Sequence, residues 1–408
     1  MAPEIDSKPA GLSREVRIEK LVYGGEGLAR VDGQVLLAPL VLPGELVSLR
    51  AELVKTGLLR GREVHIIEPA TQRVVPRCEY FGVCGGCDYQ HADYAYQLEQ
   101  KQAILRETLQ RLAGLLYEGE INVVSGHPWE YRNRIQLHLG DGEVGFHRAG
   151  SHELCRIDHC PISSPKLNEV IGKLVWAVKR PEWPSFLRSL EVFTNENDVQ
   201  LNIVDSTRPV AARFFEWCGT FVSGLTENAI EYAAVGTRFR ISRGSFFQVN
   251  RFLVDRLVSE VLGELRGRTA IDLYAGVGLF SLPLAERFEQ VHAVERGGAG
   301  YRDLQANANA AKGTLQTQRS SAEEFLARVD SAPDLIVADP PRAGLGKQTT
   351  AELLRVRPGS LKIVSCDVAT LARDLKKLLE AYRIERLTLV DLFPQTYHFE
   401  VVVHLSVR

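Results

Sequence analysis

The chain has 408 residues, 45% apolar and 25% charged, and its 49 Lys and Arg stand against 51 Asp and Glu for a formal charge of -2. At about 100–200 residues per domain this is a multidomain globular protein rather than a disordered, fibrous or membrane chain. The balanced charge excludes a globally basic nucleic-acid binder and leaves only local basic surfaces, and seven clustered cysteines, an odd number, do not suit a secreted disulfide scaffold.

Residues 1–13 are polar, carry two prolines and lack the charged-then-apolar layout of a signal peptide, so a disordered leader is expected there. No run approaches the 18 apolar residues of a membrane span, and a cytoplasmic chain without membrane contact is the expectation. Over residues 14–70 short apolar–polar alternations are punctuated by Gly24, Gly25, Gly27, Asp32, Gly33, Pro43 and Gly44, the pattern of a small OB-like β-barrel. Lys55, Arg60, Arg62, Arg73 and Arg77 face only Glu63 and Glu68, a local basic excess. Small barrels of this kind hold oligonucleotides, although a plain solvated face explains the charges equally well.

The cysteine segment Cys78–Cys87 follows, then a helical pattern from Tyr94 to about Leu116 with Leu98, Leu105, Leu109 and Leu112 on one face. Tyr131 to Thr207 reads as strands joined by polar turns at Asp141-Gly142 and Asn195 to Asp198, giving a β-rich central domain over 71–245. From 246 to 408 buried strand runs alternate with helices. The strands are Ala270–Tyr274, Gln290–Val294, Leu335–Ala338, Lys362–Ser365, Leu387–Leu392 and Val401–Leu405, and the helices are Ser281–Phe288, Ala299–Ala311 and Ala369–Tyr382. That alternation predicts a doubly wound, mostly parallel Rossmann-like sheet, so the whole is a multidomain α/β and β protein.

Asp272-Leu273-Tyr274-Ala275-Gly276-Val277-Gly278-Leu279-Phe280 leaves a strand and opens a helix, and its glycines let the backbone approach a ligand. Glu295 ends the next strand, 17 residues after Gly278, where a carboxylate can accept from ribose hydroxyls. A dinucleotide site usually has a third small residue, Gly or Ala, where Ser281 stands. The acidic Asp272 suits the cationic, phosphate-free S-adenosylmethionine better, so a methyltransferase is favoured over a dehydrogenase. Parallel strands place Asp339, of Asp339-Pro340-Pro341-Arg342, and Cys366 on one carboxyl edge. A helix beginning just after Cys366 is expected to favour its thiolate, making it a candidate nucleophile. If the last two strands form a hairpin, Glu400 joins the same edge, and burial beside Phe399 and Val401 would raise its pKa and suit it as a base. A thiolate adding at pyrimidine carbon 6, a methyl donor and a base for the carbon-5 proton specify carbon-5 methylation. Arg342, where amino-group methyltransferases place an aromatic residue after Asp-Pro-Pro, argues against nitrogen methylation.

Around these residues nearly the whole chain resembles the RNA uracil-5-methyltransferase family: SCDVATLARD around Cys366, FPQTYHFE ending in Glu400, and SFFQVN from Ser245 to Asn250. The resemblance implies Cys366 as nucleophile, Glu400 as base, and Gln248, Tyr274, Gly276, Gly278, Leu279, Glu295, Ser321 and Asp339 around S-adenosylmethionine. It also implies that the amino-terminal barrel is a TRAM RNA-binding domain. Val368, where the family usually has proline, and Leu279, Asn in some members, are departures.

Cys78-x5-Cys84-x2-Cys87, broken by Gly82, Gly85 and Gly86, is a metal-wrapping loop needing one more thiolate, from Cys155 or Cys160. Spacing alone suits zinc or a [4Fe-4S] cluster. The resemblance implies [4Fe-4S], with Cys160 before Pro161 as fourth ligand, and leaves Cys155 and Cys218 without a role. Barrel plus cluster resembles the bacterial ribosomal members, so 23S ribosomal RNA is the expected substrate and a monomer the expected state. The same chemistry on tRNA, an idle iron-sulfur RNA-binding protein and a dinucleotide oxidoreductase are the alternatives.

Overall fold

The computed structural model describes residues 12–311 and 314–408. The leader expected over 1–13 lies, through residue 11, outside the described residues, and Leu12 and Ser13 already belong to the first strand. The chain divides into two units. One takes in residues up to Gly82, Gly86–Ile104 and Gln395–Tyr397, the other Val83–Gly85, Leu105–Pro394 and His398–Arg408.

In the first unit the amino-terminal alternation becomes six strands, β1 (Leu12–Arg17), β2 (Lys20–Leu21), β3 (Gly27–Val31), β4 (Gln34–Ala38), β5 (Leu46–Lys55) and β6 (Leu58–Glu68). They form one sheet of order β1-β5-β6-β4-β3-β2, antiparallel except for β4 on β6. Every second residue points inward, and Val16, Ile18, Ala29, Leu36, Val47 and Leu49 meet in one apolar core. The arginines are answered by carboxylates: Arg14 by Asp32 (3.1 Å), Arg17 by Glu68 (2.6 Å), Arg30 by Glu19 (2.6 Å), Arg60 by Glu26 (3.1 Å) and Arg62 by Glu52 (3.4 Å). Such pairs add little stability, but they cancel much of the basic excess expected from the sequence. Fully buried Glu45 accepts from Leu42 N (2.7 Å), Ala70 N (3.2 Å) and both Arg73 Nε (2.5 Å) and Nη2 (2.8 Å). Burial alone would raise its pKa, but Arg73 and these bonds hold it below the ordinary value.

The predicted leucine-rich helix is α1 (Tyr94–Thr108), ending in a π-helical turn over Leu109–Ala113. The short strand β7 (Ile121–Val124) follows, then β8 (Arg134–Gly140), β9 (Glu143–His147), β10 (Leu154–Arg156), α2 (Pro165–Ala177), β11 (Leu187–Thr194) and β12 (Val199–Ser206). Strands β8 to β12 form an antiparallel sheet of order β10-β9-β8-β11-β12. Helix α2 interrupts what the sequence reads as continuous strand. Ser164 caps it by accepting from Leu167 N (3.4 Å), Pro165 opens it, and Leu167, Val170, Ile171 and Leu174 recur at helical spacing on its buried face. Beyond α3 (Ala212–Gly219), strands β13 (Ile230–Ala234) and β14 (Thr237–Ile241) close through Val235 and Gly236, both at positive φ (46° and 74°), the turn that suits a two-residue hairpin.

The carboxyl-terminal half is α4 (Val254–Leu262), β15 (Gly267–Leu273), α5 (Ser281–Ala285), β16 (Phe288–Glu295), α6 (Gly298–Ala310), β17 (Leu315–Arg319), α7 (Ala322–Leu326), β18 (Leu335–Ala338), α8 (Gly346–Val356), β19 (Ser360–Ser365), α9 (Val368–Leu378), β20 (Tyr382–Val390) and β21 (Glu400–Val407). Its sheet has eight strands in the order β17-β16-β15-β18-β19-β21-β20-β7, parallel but for β21. The expected hairpin is β20 and β21, with β21 inserted antiparallel between β19 and β20. Two edge strands, β17 and β7, lie beyond the six read from the sequence. β7 reaches β20 from more than 250 residues upstream, through pairings such as Leu387 with Ile121. No helix among the described residues is long and apolar enough to cross a membrane.

Candidate active site

The glycine loop sits at the carboxyl end of β15. Tyr274 leaves the strand at φ 62°, a strained left-handed value, and Gly276 (56°) and Gly278 (96°) continue the reversal. A Cβ on Gly278 would lie 2.7 Å from Leu282 Cδ1 and 3.0 Å from Leu304 Cδ1, whereas one on Gly276 would meet nothing within 4 Å. Gly278 is thus favoured by its positive φ and by two leucine side chains that a Cβ would displace, and Gly276 borders open space. Glu295, ending β16, accepts Gly276 N (2.9 Å) on Oε2 and both Arg296 N (2.9 Å) and Gly297 N (3.4 Å) on Oε1, so two main-chain segments fix this carboxylate beside the loop. Oε2 keeps a second lone pair, and with the space over Gly276 this acceptor fits a nucleoside ribose.

Asp272 is fully buried under the loop and accepts the Ser281 hydroxyl. Burial, with Asp339 and Glu295 nearby, pushes its pKa up to about 7. That bond accounts for serine where dinucleotide loops carry a third small residue, and Asp272 serves the loop from beneath. Tyr274 Oη lies 3.4 Å from Thr349 Oγ1 on α8. Leu279 packs into the core of the sheet. Ser321 is the N-cap of α7, its hydroxyl accepting Glu324 N (3.3 Å) in a capping box. The Gln248 carbonyl accepts Asn133 Nδ2 (3.1 Å), and Asn250 Nδ2 donates to Leu392 O (3.1 Å), tying the SFFQVN segment to the end of β20.

Asp339, Cys366 and Glu400 face one another electrostatically at the ends of β18, β19 and the start of β21. Glu400 is buried, with Oε2 accepting no hydrogen bond among the described residues. Burial first, then the Asp339 charge, raises its pKa well above the carboxylate range, while the Arg342 guanidinium opposes the rise. The Cys366 thiol is pushed up to about 12 by burial and by the charges of Glu400 and Asp339, against a lowering from Arg342. This corrects the expectation that the helix terminus favours the thiolate. Asp367 caps α9 by accepting Thr370 N (2.8 Å), so a carboxylate already answers the helix end, and two buried carboxylates outweigh what dipole remains. The loop carrying Arg342 is held on α9, where Thr370 Oγ1 donates to Arg342 O (3.2 Å) and Leu345 N to Asp374 Oδ2 (2.7 Å).

A model of the tRNA (uracil-5-)-methyltransferase family matches residues 226–408. A Streptomyces avermitilis protein named as an RNA methyltransferase is 34% identical, over 97% of this chain and 98% of its own. The 23S rRNA (uracil(1939)-C(5))-methyltransferase RlmD of Shewanella amazonensis is 31% identical over 94% of each. The chain belongs to the RNA uracil-5-methyltransferase family. It is accordingly an S-adenosylmethionine-dependent RNA (uracil-5-)-methyltransferase. Among solved structures, the Pyrococcus abyssi tRNA (uracil-54, C5)-methyltransferase in complex with S-adenosyl-L-homocysteine matches with a TM-score of 0.75 and 26% identity, over 96% of this chain and 100% of that one.

Membership in this methyltransferase family sets the remaining residues in context. Asp303 and Asn307, one turn apart on the inward face of α6, anchor the strand before SFFQVN. Asp303 accepts Ser242 N (2.6 Å), Ser242 Oγ (2.6 Å) and Ser245 Oγ (2.5 Å), and Asn307 bonds both Arg240 N (2.7 Å) and Val277 O (2.9 Å). Sequence reading missed this clamp, although two polar residues four apart on an inward helix face were its visible signal. All seven cysteines are free of disulfides. Cys78 and Cys87 lie in the first unit, Cys84 and Cys160 in the second, all four half-buried, whereas Cys155 and Cys218 are buried. The Cys160 turn is fixed by Asn168, which accepts Cys160 N (2.8 Å) and donates to Cys160 O (3.0 Å). Among the described residues no group of three or more His, Cys, Asp or Glu is placed to hold a metal ion.

Proposed function

We propose that this enzyme methylates carbon 5 of a specific uridine in 23S ribosomal RNA, with Cys366 as nucleophile and Glu400 as base. The observation carrying the reading is the edge where Asp339, Cys366 and Glu400 meet, with a buried Glu400 oxygen left unbonded. Carbon 5 of uracil is too weak a nucleophile by itself. The Cys366 thiol gives up its proton to Asp339, leaving Glu400 ionised for the later step, with Arg342 steadying the anion, and Sγ bonds to carbon 6 as negative charge moves to the carbon-4 oxygen. S-adenosylmethionine, held at Gln248, Tyr274, Gly276, Gly278, Leu279, Glu295, Ser321 and Asp339, supplies the methyl group to carbon 5. Glu400 then takes the carbon-5 proton, the freed pair restores the carbon 5–carbon 6 double bond, and the Sγ–carbon 6 bond breaks to release Cys366. The raised pKa of Glu400 strengthens it as a base.

The 23S assignment follows the Shewanella relative, which covers both chains almost whole. The Pyrococcus tRNA enzyme, which also matches along the whole chain, supports tRNA as the second reading. Incubating the protein with labelled S-adenosylmethionine and separate unmodified 23S and tRNA transcripts, then mapping 5-methyluridine, decides between them, and transfer to neither refutes both. Cys366→Ala should abolish product and Glu400→Gln should accumulate a covalent protein–RNA adduct. Full turnover by the Cys366 variant would exclude the covalent route. The reading extends to the amino-terminal sheet as a TRAM RNA-binding module and to a [4Fe-4S] cluster on Cys78, Cys84, Cys87 and Cys160. The cluster, when bound, supplies a crosslink between distant chain segments. The ligand set follows the resemblance, with Cys160 before Pro161 as the fourth thiolate, while Cys155 hydrogen-bonds Cys84 and is the alternative fourth ligand. Iron without zinc in anaerobically purified protein tests it.

A further inference from the structure

The face of the five-stranded sheet carries a cleft of about 1300 Å³ that takes no part in the chemistry described above. That is more space than the 300–1,000 Å³ of ordinary small-molecule pockets. His138 and His147 stack at 3.5 Å on its floor, with His152 edge-on to His147 at 5.3 Å. Trp183 forms part of the wall, its ring fixed edge-to-face on Phe214 (5.4 Å) and Trp217 (6.3 Å). Lys179, Arg180 and Arg188 line the rim, exposed and without an ion pair among the described residues, the Arg180 guanidinium lying 4.4 Å from the centre of the Trp176 ring. Of the lining carboxylates, Glu143 is held by Arg156 (3.0 Å), leaving Asp141 and Asp205 against the three cations.

We infer that this cleft holds single-stranded RNA flanking the target uridine, the cations on phosphates and the fixed rings under bases. Aromatic rings held in place by their neighbours, interleaved with cations that lack a carboxylate partner, are what sequence-tolerant single-strand binding requires. Gln136 and His138 alternate along β8 with buried Ile135 and Leu137, so the cleft takes the face of the strand turned away from the core.

The inference rests on the reading of the chain as an RNA enzyme, but its test needs no methyl transfer. Binding of a fluorescein-labelled 20-nucleotide oligouridylate to the full chain is followed by anisotropy from low to moderate KCl, for the parent and for Arg180→Gln/Arg188→Gln. Two lost phosphate contacts at about 0.7 each lower the log–log salt slope by about 1.4 and weaken binding about 25-fold in 0.1 M salt. Unchanged S-adenosylhomocysteine affinity reports that the variant is folded. A 4-thiouridine version of the oligonucleotide should crosslink to the segment carrying Trp183. An unchanged slope and affinity, crosslinks confined to other segments, or no oligonucleotide binding by the parent each overturn the inference. A cleft that takes a protein segment instead gives the first of these results.

Discussion

Replacing Asp303 tests whether α6 positions the SFFQVN segment. Its carboxylate, 1% exposed, accepts Ser242 N (2.6 Å), Ser242 Oγ (2.6 Å) and Ser245 Oγ (2.5 Å). A hydrogen bond to a charged group contributes about 1.5–3 kcal/mol, and a buried donor left unanswered costs about 1–3 kcal/mol. The two hydroxyls can rotate toward other acceptors, but the Ser242 amide cannot, so Asp303→Ala should cost about 3–5 kcal/mol rather than the full sum. Asp303→Asn keeps an acceptor for the amide and should cost about 1–2 kcal/mol. At about 2 °C per kcal/mol for a domain of this size, the alanine variant should melt roughly 6–10 °C below the parent. Because the segment carries Gln248, the KM for S-adenosylmethionine should rise in the alanine variant and recover in the asparagine variant. Differential scanning fluorimetry and methyl-transfer kinetics measure the two effects. An alanine variant melting within a degree of the parent with an unchanged KM would refute the clamp.

Three further outcomes follow from the same geometry. A thiol held up to about 12 leaves about 10⁻⁴ as thiolate at pH 8, so iodoacetamide should alkylate Cys366 in the free enzyme roughly 10³-fold more slowly than an ordinary cysteine, read by peptide mass spectrometry; equal rates would contradict the burial argument. Gly278→Ala should cost about 1–3 kcal/mol of stability through its positive φ and its contacts with Leu282 and Leu304, whereas Gly276→Ala should lose more ligand affinity than stability, a contrast that calorimetry with S-adenosylhomocysteine resolves. The folded-state pKa of Glu45 lies below 4.5, so its stabilisation is complete above the unfolded value and disappears as pH falls through the folded one. Glu45→Gln should therefore be destabilised at pH 7 and converge on the parent under acid, and a gap that persists to low pH would count against the Arg73 pair.

Where local rules govern, the chain was readable in one dimension. The strand Leu335–Ala338, the strand read as Ala270–Tyr274 and observed as Gly267–Leu273, the glycine loop and the β20–β21 hairpin follow from runs of buried residues and the turns between them. Those rules also bring Asp339, Cys366 and Glu400 to one edge, since parallel strands share their carboxyl ends. Helix α2 was hidden because its apolar face also fits a strand reading, although Ser164 and Pro165 announced its start. Other features depended on partners far away in the chain. β7 finds its place against β20, Asp303 reaches back to Ser242, and Arg17 and Arg60 of the amino-terminal sheet find Glu68 and Glu26 far along the chain, none of which periodicity encodes. The ionisation of Cys366 belongs to this second group. A helix start beside a cysteine is visible in the sequence, but the thiol's charge depends on burial and on how near two other carboxylates stand, and only the folded edge determines both.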